Sequence, residues 1–311
     1  MGAKMKGKHL ATLHDLTVEE MQEIFKVAVD LKHKLKAGEP TPILKGKTLA
    51  MVFQKPSTRT RVSFEVGIFQ LGGVGLYLGP NDLQLKRGET IADTAQVLSR
   101  YVDGIMARVF AHQDILDLCK YSRVPVINGL SDLTHPCQVL ADLLTIIEHR
   151  GNNLKGMKLA YVGDGNNMAH SLMLGCVKMG MHVSVATPKG YEPKPEIVEW
   201  ALADAKPTGA NVVVTTDPAE AVKNADVVYT DVWASMGQES EHDARVKIFK
   251  PYQINEALVA RAKKDYLFMH CLPAHRGEEV SAGVIDGPHS IIFDEAENRL
   301  HAQKAVMALV M

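Results

Sequence analysis

Within the stretch FQKPSTRTRVSFE, Phe53 to Glu65, the five residues Ser57, Thr58, Arg59, Thr60 and Arg61 place three hydroxyls and two guanidinium groups shortly after an apolar run. Pro56 fixes φ for a sharp entry, and Ser57 or Thr58 can cap the helix that follows. A helix N-terminus turns free N–H groups and a partial positive charge toward an anion, while Arg59 and Arg61 can add bidentate contacts to phosphate or carboxylate oxygens. The stretch reads as a phosphate cradle, set against the plainer alternative of a capped helix with two solvated arginines. GxxxxGK[ST] does not occur in the chain, so the expected ligand is a small phosphate compound rather than a nucleoside triphosphate.

Five further clusters hold side chains suited to chemistry. Arg108 ends the run GIMARV. In HPCQ, His135 stands just before Pro136, which aims the imidazole and the Gln138 amide at one end of a helix. A histidine beside Arg108 can donate a hydrogen bond to a carbonyl oxygen on which negative charge develops. The turn in YVGDGNNMAH looks like a dinucleotide site, but Met168 replaces the third glycine, and the next strand offers Thr187 and Lys189 where a ribose-binding acid would stand. Asn166 and Asn167 can instead hydrogen-bond a carboxylate or an amine. DVWASMG sets Asp231 and Ser235 on a glycine-bearing loop, suited to an α-ammonium group if it is more than a surface loop. In FMHCLPAHRGEE, Cys271 and Leu272 precede Pro273; an inert buried thiol is the ordinary reading and contact with an amine the functional one.

These clusters need elements to hold them. Thr17 and Glu20 form a capping-box pair ahead of Met21, Ile24, Phe25, Ala28 and Leu31 at helical spacing. Strands are expected at TLAMVFQ, GVGLYL, GIMARV and VPVING, with helices from about Arg59, from Glu89 and after Pro136. A second β-then-α series runs through MKLAYVGDG, HVSVATP, NVVVTTD, ADVVYTDV and DYLFMHCLP, with helices from Pro195 and near Asn255; a late strand SIIFDEA then precedes a final helix from Ala296 to Val310. The polar segment around Gly151 to Gly156 separates the series. Two doubly wound parallel sheets are expected, one domain over residues 1–150 and the other over 151–295. Ligands of such sheets bind beyond the carboxyl ends of the strands, where every cluster named above falls.

Composition narrows the partners. The 35 Lys and Arg against 36 Asp and Glu leave a formal net charge of -1, without the broad basic surface that nucleic acid requires. No apolar stretch is long enough to span a bilayer, and the basic N-terminus MGAKMKGKHL leads into no signal region. Four cysteines without a CxxC pair suggest reduced thiols in a cytoplasmic protein rather than a zinc knuckle or a disulfide framework.

Taken in order, PSTRTRVSFE and HPCQ resemble the carbamoyl-phosphate motifs of the carbamoyltransferases, while DVWASMGQE and MHCLP resemble the ornithine branch of that family rather than the aspartate branch. The resemblance runs nearly the whole chain, to EAENRLHAQKAV. It implies transfer of a carbamoyl group to the δ-amine of L-ornithine, giving citrulline and phosphate, with no cofactor and no metal. Ser57, Thr58, Arg59 and Thr60 would bind the phosphate, and Arg108, His135 and Gln138 the carbamoyl group, with Arg299 completing that side. Asn167, Asp231, Ser235 and Met236 would bind ornithine; Cys271 and Leu272 would lie near the reacting amine and the carbamoyl group. The final helix would return to the N-terminal domain, and the active site would occupy the cleft between the domains. A homotrimer is implied, with a dodecamer as a larger assembly. The loop LGPNDLQLKRGET matches the segment through which a neighbouring subunit reaches carbamoyl phosphate with a glutamine; here Asn81 takes the aligned position and Gln84 follows. Within the family the alternative acceptor is putrescine.

Overall fold

The structure, a computed structural model, describes residues 5–234, 237 and 239–311. It contains two compact units, Met1–Leu144 with Glu297–Met311, and Thr145–Ala296. The first series comprises α1 (Val18–Lys36), β1 (Thr48–Phe53), α2 (Thr58–Gln70), β2 (Val74–Leu78), α3 (Ile91–Leu98), β3 (Gly104–Arg108), α4 (His112–Tyr121), β4 (Val126–Leu130) and α5 (Pro136–Arg150). The second comprises β5 (Lys158–Val162), α6 (Asn167–Lys178), β6 (His182–Ala186), α7 (Pro195–Ala205), β7 (Val212–Thr215), α8 (Pro218–Val222), β8 (Val227–Thr230), α9 (His242–Phe249), α10 (Glu256–Val259), β9 (Leu267–His270), α11 (Ala282–Ile285) and α12 (Ile292–Val310).

Both sheets are parallel, ordered β2-β1-β3-β4 and β7-β6-β5-β8-β9. Strands covered on both faces carry continuous apolar runs, and β1, β3, β5 and β8 are buried over nearly their whole length. The edge strands β2 and β7 are largely exposed. In each sheet the strand order reverses once, between β1 and β3 and between β5 and β8. Chains leaving such a pair run to opposite sides, which opens a crevice at their carboxyl ends.

Local signals account for the element starts. Thr17 and Glu20 form the expected capping box, and Met21, Ile24, Phe25, Ala28 and Leu31 form the buried stripe of α1. Within the first unit, α12 approaches α2 at Gly67, where an added Cβ would lie 2.9 Å from Met307 Cε. The polar face of α12 is buried yet bonded: Asn298 accepts from Lys32 at 2.8 Å, and Lys304 donates to Gln70 at 2.8 Å.

Two expectations differ from the structure. SIIFDEA is not a strand; only Ser290 bridges, to Phe268, and α12 already starts at Ile292. A short apolar run does not by itself distinguish strand from helix, and here Ile292, Glu295 and Arg299 share a buried helical face. The helix α9 lies in a stretch with no apolar stripe, so periodicity gave no sign of it.

Candidate active site

The first candidate site sits at the β1/β3 reversal. Phe53 and Arg108 are register partners at the two strand ends, and the Gln54 amide donates to the Arg108 carbonyl at 2.9 Å. Ser57 caps α2 in extended conformation, its hydroxyl accepting from the Thr60 amide at 3.3 Å. Thr58 and Arg59 thus fall in the first turn, the end whose N–H groups face outward.

Thr60 is the hub. Its Oγ1 lies 3.2 Å from the Ser57 hydroxyl and accepts from Arg299 Nη2 at 3.3 Å and Arg108 Nη1 at 3.5 Å. Arg299 Nη1 donates to Gln138 Oε1 at 2.6 Å, and the Gln138 amide donates to Asp142 at 2.8 Å. Gln303 accepts from Arg299 Nε at 3.0 Å and donates to Ser63 at 2.7 Å, which fixes the plane of the guanidinium. Thr60, Arg108, His135, Gln138 and Arg299 are all buried. They reach one place from two strand-to-helix turns, a strand end and α12.

Charge at this place is strongly positive. The pKa of His135 lies well below the usual histidine value, pressed down by burial and by Arg299, Arg108, Lys55 and Arg59. Its imidazole is therefore neutral and can donate one ring N–H. Lys55, absent from the residues singled out in the sequence, is buried, and its pKa is lowered to about 8 by burial and by Arg108, with Asp132 opposing. Its signal was a lysine in the strand-to-helix turn itself, two residues before the cap.

Arg61 departs from expectation. Its guanidinium lies 3.9 Å from the centroid of the Tyr77 ring and its Nε 3.4 Å from Glu65, on the exposed side of α2. One helical step from Thr60 points it away from the cradle, so Arg59 supplies the guanidinium of that turn. Asn81 is exposed on the turn that follows the edge strand β2.

The second candidate site sits at the β5/β8 reversal. Asn166 caps α6, its Oδ1 accepting from the amides of Met168 at 2.9 Å and Ala169 at 3.3 Å. Its amide donates to Asp231 Oδ2 at 2.9 Å. Asp231 Oδ1 accepts from the Val232 amide at 2.8 Å and the Cys271 thiol at 3.1 Å. Thr230 and His270 are register partners on β8 and β9, which brings Asp231 and Cys271 side by side one residue later. Tyr161 donates to Asn166 at 3.3 Å, and burial together with Asp231 and Asp164 keeps its phenol protonated. Asn166 thus orients the carboxylate, leaving Asn167 in the first turn of α6. Arg245 bonds Asp164 at 2.9 Å and the Trp233 carbonyl at 3.0 Å, fastening the segment after Asp231. Ser235 and Met236, the other two expected ligands, lie outside the described residues. Leu272 has φ 60, a backbone shape that crowds its Cβ, at a strain of about 1–3 kcal/mol.

The glycine turn after β5 is filled by the chain itself. A Cβ on Gly165 would lie 2.4 Å from backbone atoms of Tyr191, Glu192 and Pro193, and the Gly165 amide donates to the Tyr191 carbonyl at 2.8 Å. This glycine serves a close approach of backbone to backbone, where a dinucleotide turn needs it for a pyrophosphate.

Among the described residues, two groups bring potential metal-ligating atoms within 4.8 Å of one another: Asp231, His270 and Cys271, and His275, Glu278 and Glu279. In the first, both ring nitrogens of His270 are engaged, Nδ1 accepting from the Leu272 amide at 2.9 Å and Nε2 facing Glu279 at 3.1 Å, and the thiol is bonded to Asp231.

Comparison with known proteins matches both halves. The family model described as "Aspartate/ornithine carbamoyltransferase, carbamoyl-P binding domain" covers residues 8–148, and "Aspartate/ornithine carbamoyltransferase, Asp/Orn binding domain" covers residues 155–310. The ornithine carbamoyltransferase of Thermococcus kodakarensis is 63% identical over 311 residues, covering 100% of this chain and 98% of that protein. The protein of Pyrococcus furiosus named "Ornithine carbamoyltransferase, anabolic" is 61% identical over 311 residues, with the same coverage of 100% and 98%. A solved structure of ornithine carbamoyltransferase from Pyrococcus furiosus superposes with a TM-score of 0.96 at 61% identity, covering 99% of this chain and 98% of that one. The enzyme from Gloeobacter violaceus gives 0.87 at 49% identity, covering 98% and 99%.

Proposed function

The chain belongs to the aspartate/ornithine carbamoyltransferase family, and from that premise we propose that it transfers the carbamoyl group of carbamoyl phosphate to L-ornithine, forming L-citrulline and phosphate. The observation that carries this reading is the gathering of Lys55, Arg59, Arg108 and Arg299 around a neutral, buried His135 at the start of α2. Arg108 and Arg299 donate here to the neutral side chains of Thr60, Gln138 and Gln303. Such a place favours a compact anion.

The first unit holds carbamoyl phosphate. Ser57, Thr58, Arg59 and Thr60 bind its phosphate through hydroxyls, amides and guanidinium, aided by Lys55. Arg108 and His135 donate to the carbonyl oxygen, and Gln138 and Arg299 complete the pocket. The second unit holds ornithine: Asp231 takes the α-ammonium group, and Asn167 with the N-terminus of α6 takes the α-carboxylate. Cys271 steadies Asp231, and Leu272 offers its backbone to the reacting groups. The remaining ornithine contacts come from Ser235 and Met236.

The reaction follows from these placements. The neutral δ-amine attacks the carbonyl carbon and a C–N bond forms; charge then moves onto the carbonyl oxygen, where Arg108 and the N–H of His135 stabilise it. The C–O bond to phosphate breaks as the intermediate collapses, and the departing phosphate accepts the proton of the attacking nitrogen. A primary amine has an ordinary pKa of about 10.4, so binding must favour its neutral form. No redox step or metal is needed.

Exposed apolar side chains on the first unit support assembly. Val62 and Phe69 on α2, Val74 and Leu76 on the edge strand β2, and Tyr101 after α3 are all exposed. Exposed apolar side chains of this kind fit subunit association, and the homotrimer proposed here would bring Asn81 of one subunit to the phosphate site of the next. The reaction is placed in the cytoplasm, where the four free thiols stay reduced, and the anabolic name of the Pyrococcus furiosus relative favours arginine synthesis. In the test, carbamoyl phosphate and L-ornithine, with chelator present, yield citrulline and phosphate in equal amounts. Phosphate release without citrulline would reject the reading.

A further inference from the structure

A second polar group, outside the residues assigned above, lies in the segment after β9. Glu279 is fully buried. Its Oε1 accepts from the His275 amide at 2.6 Å and faces His270 Nε2 at 3.1 Å, whereas its Oε2 has no hydrogen-bond partner. That oxygen points to His275 Nδ1 at 3.7 Å, beyond hydrogen-bond range. Glu278 Oε2 lies 4.0 Å from the same nitrogen and 3.1 Å from His242 Nε2.

A buried carboxylate oxygen without a donor is costly, and a cation is the partner that this geometry admits. Burial presses the Glu279 carboxyl upward in pKa, but the bonds from His270 and the His275 amide outweigh it and hold it below the usual value. We propose that His275 Nδ1, Glu278 Oε2 and Glu279 Oε2 bind a divalent transition-metal cation of the Zn2+ type, with water as the fourth ligand. Tetrahedral zinc with bonds of about 2.0–2.1 Å sets its ligand atoms about 3.3 Å apart, so the observed 3.7 and 4.0 Å need to close by only a fraction of an ångström or so. His270 orients Glu279 through its other oxygen, Oε1, as an outer partner of a metal ligand does, and His242 Nε2 lies 3.1 Å from the ligating Glu278 Oε2 itself. His275 is half exposed, which gives the ion a way in. The ion would tie the segment after β9 to α9 by way of His242.

Zinc binding is measured by calorimetry on the full-length Cys271→Ser variant, so that a thiol-bound ion at Asp231 and Cys271 does not count. One Zn2+ per chain is expected. His275→Ala or Glu278→Gln in that background should weaken binding by about 100-fold or more, since even outer partners contribute about 10–100-fold. The melting temperature of the parent should rise with zinc and that of the two variants should not. His275 is exposed and Glu278 partly so, which lessens the folding risk that replacing the buried Glu279 would carry. No zinc bound in the Cys271→Ser protein, or equal affinity after His275→Ala, would overturn the proposal.

Discussion

Replacing Arg108 with alanine is expected to lower kcat for citrulline formation by about 10²–10³-fold while the protein stays folded. The guanidinium stands at the end of β3 with a long bond to Thr60, and it presses down the pKa of both Lys55 and His135. Its removal takes away that long bond among its contacts and relieves repulsion among neighbouring cations. On the proposed mechanism the variant loses a fixed donor for the developing oxyanion, which water in the vacated space would reproduce poorly. The lowered rate should persist at saturating substrate, because the missing interaction strengthens in the transition state. Steady-state kinetics with a thermal melt on the same sample checks both halves, and an unchanged kcat would remove Arg108 from the mechanism.

The second large effect is expected at Asp231. Asp231→Asn keeps the shape but removes the charge assigned to the α-ammonium group. Losing one member of a buried ion pair costs about 2–5 kcal/mol, which is roughly 30- to several-thousandfold in kcat/KM for ornithine. The new amide group must also face either Asn166 or the pair formed by the Cys271 thiol and the Val232 amide, all of which donate to the present carboxylate. Affinity for a carbamoyl phosphate analogue, measured on the free variant by calorimetry, should match wild type. A parallel loss of that affinity would show that Asp231 serves the phosphate side instead.

Much of this architecture was legible in the sequence because parallel strands covered on both faces need unbroken apolar runs, and their ends are marked by polar turn residues. The cap of α2 was legible for the same reason: Ser57 follows a strand and opens a helix, and both roles are local. What stayed hidden depends on tertiary neighbours. Tyr77 draws Arg61 away from the cradle, and burial among cations makes Lys55 part of it. The difference between Asn166 and Asn167 is one helical position, decided by which of them caps. SIIFDEA has the composition of a strand, but the burial of Glu295 and Arg299 on one face selects a helix. The bare oxygen of Glu279 has no sequence signature at all.

The choice of acceptor distinguishes an amino-acid site from a diamine site. Putrescine is ornithine without its α-carboxylate, so on the proposed assignment Asp231 can hold the ammonium group of either, and the contacts proposed for the carboxylate, Asn167 with the N-terminus of α6, separate them. The kcat/KM values for citrulline formation from ornithine and for carbamoylation of putrescine are measured side by side. Ornithine is expected to be preferred by at least about 100-fold, because a site built for a charged group is left unpaired by an acceptor that lacks it. Equal or better use of putrescine would keep the phosphate cradle and contradict the assignment of the β5/β8 site to an amino acid.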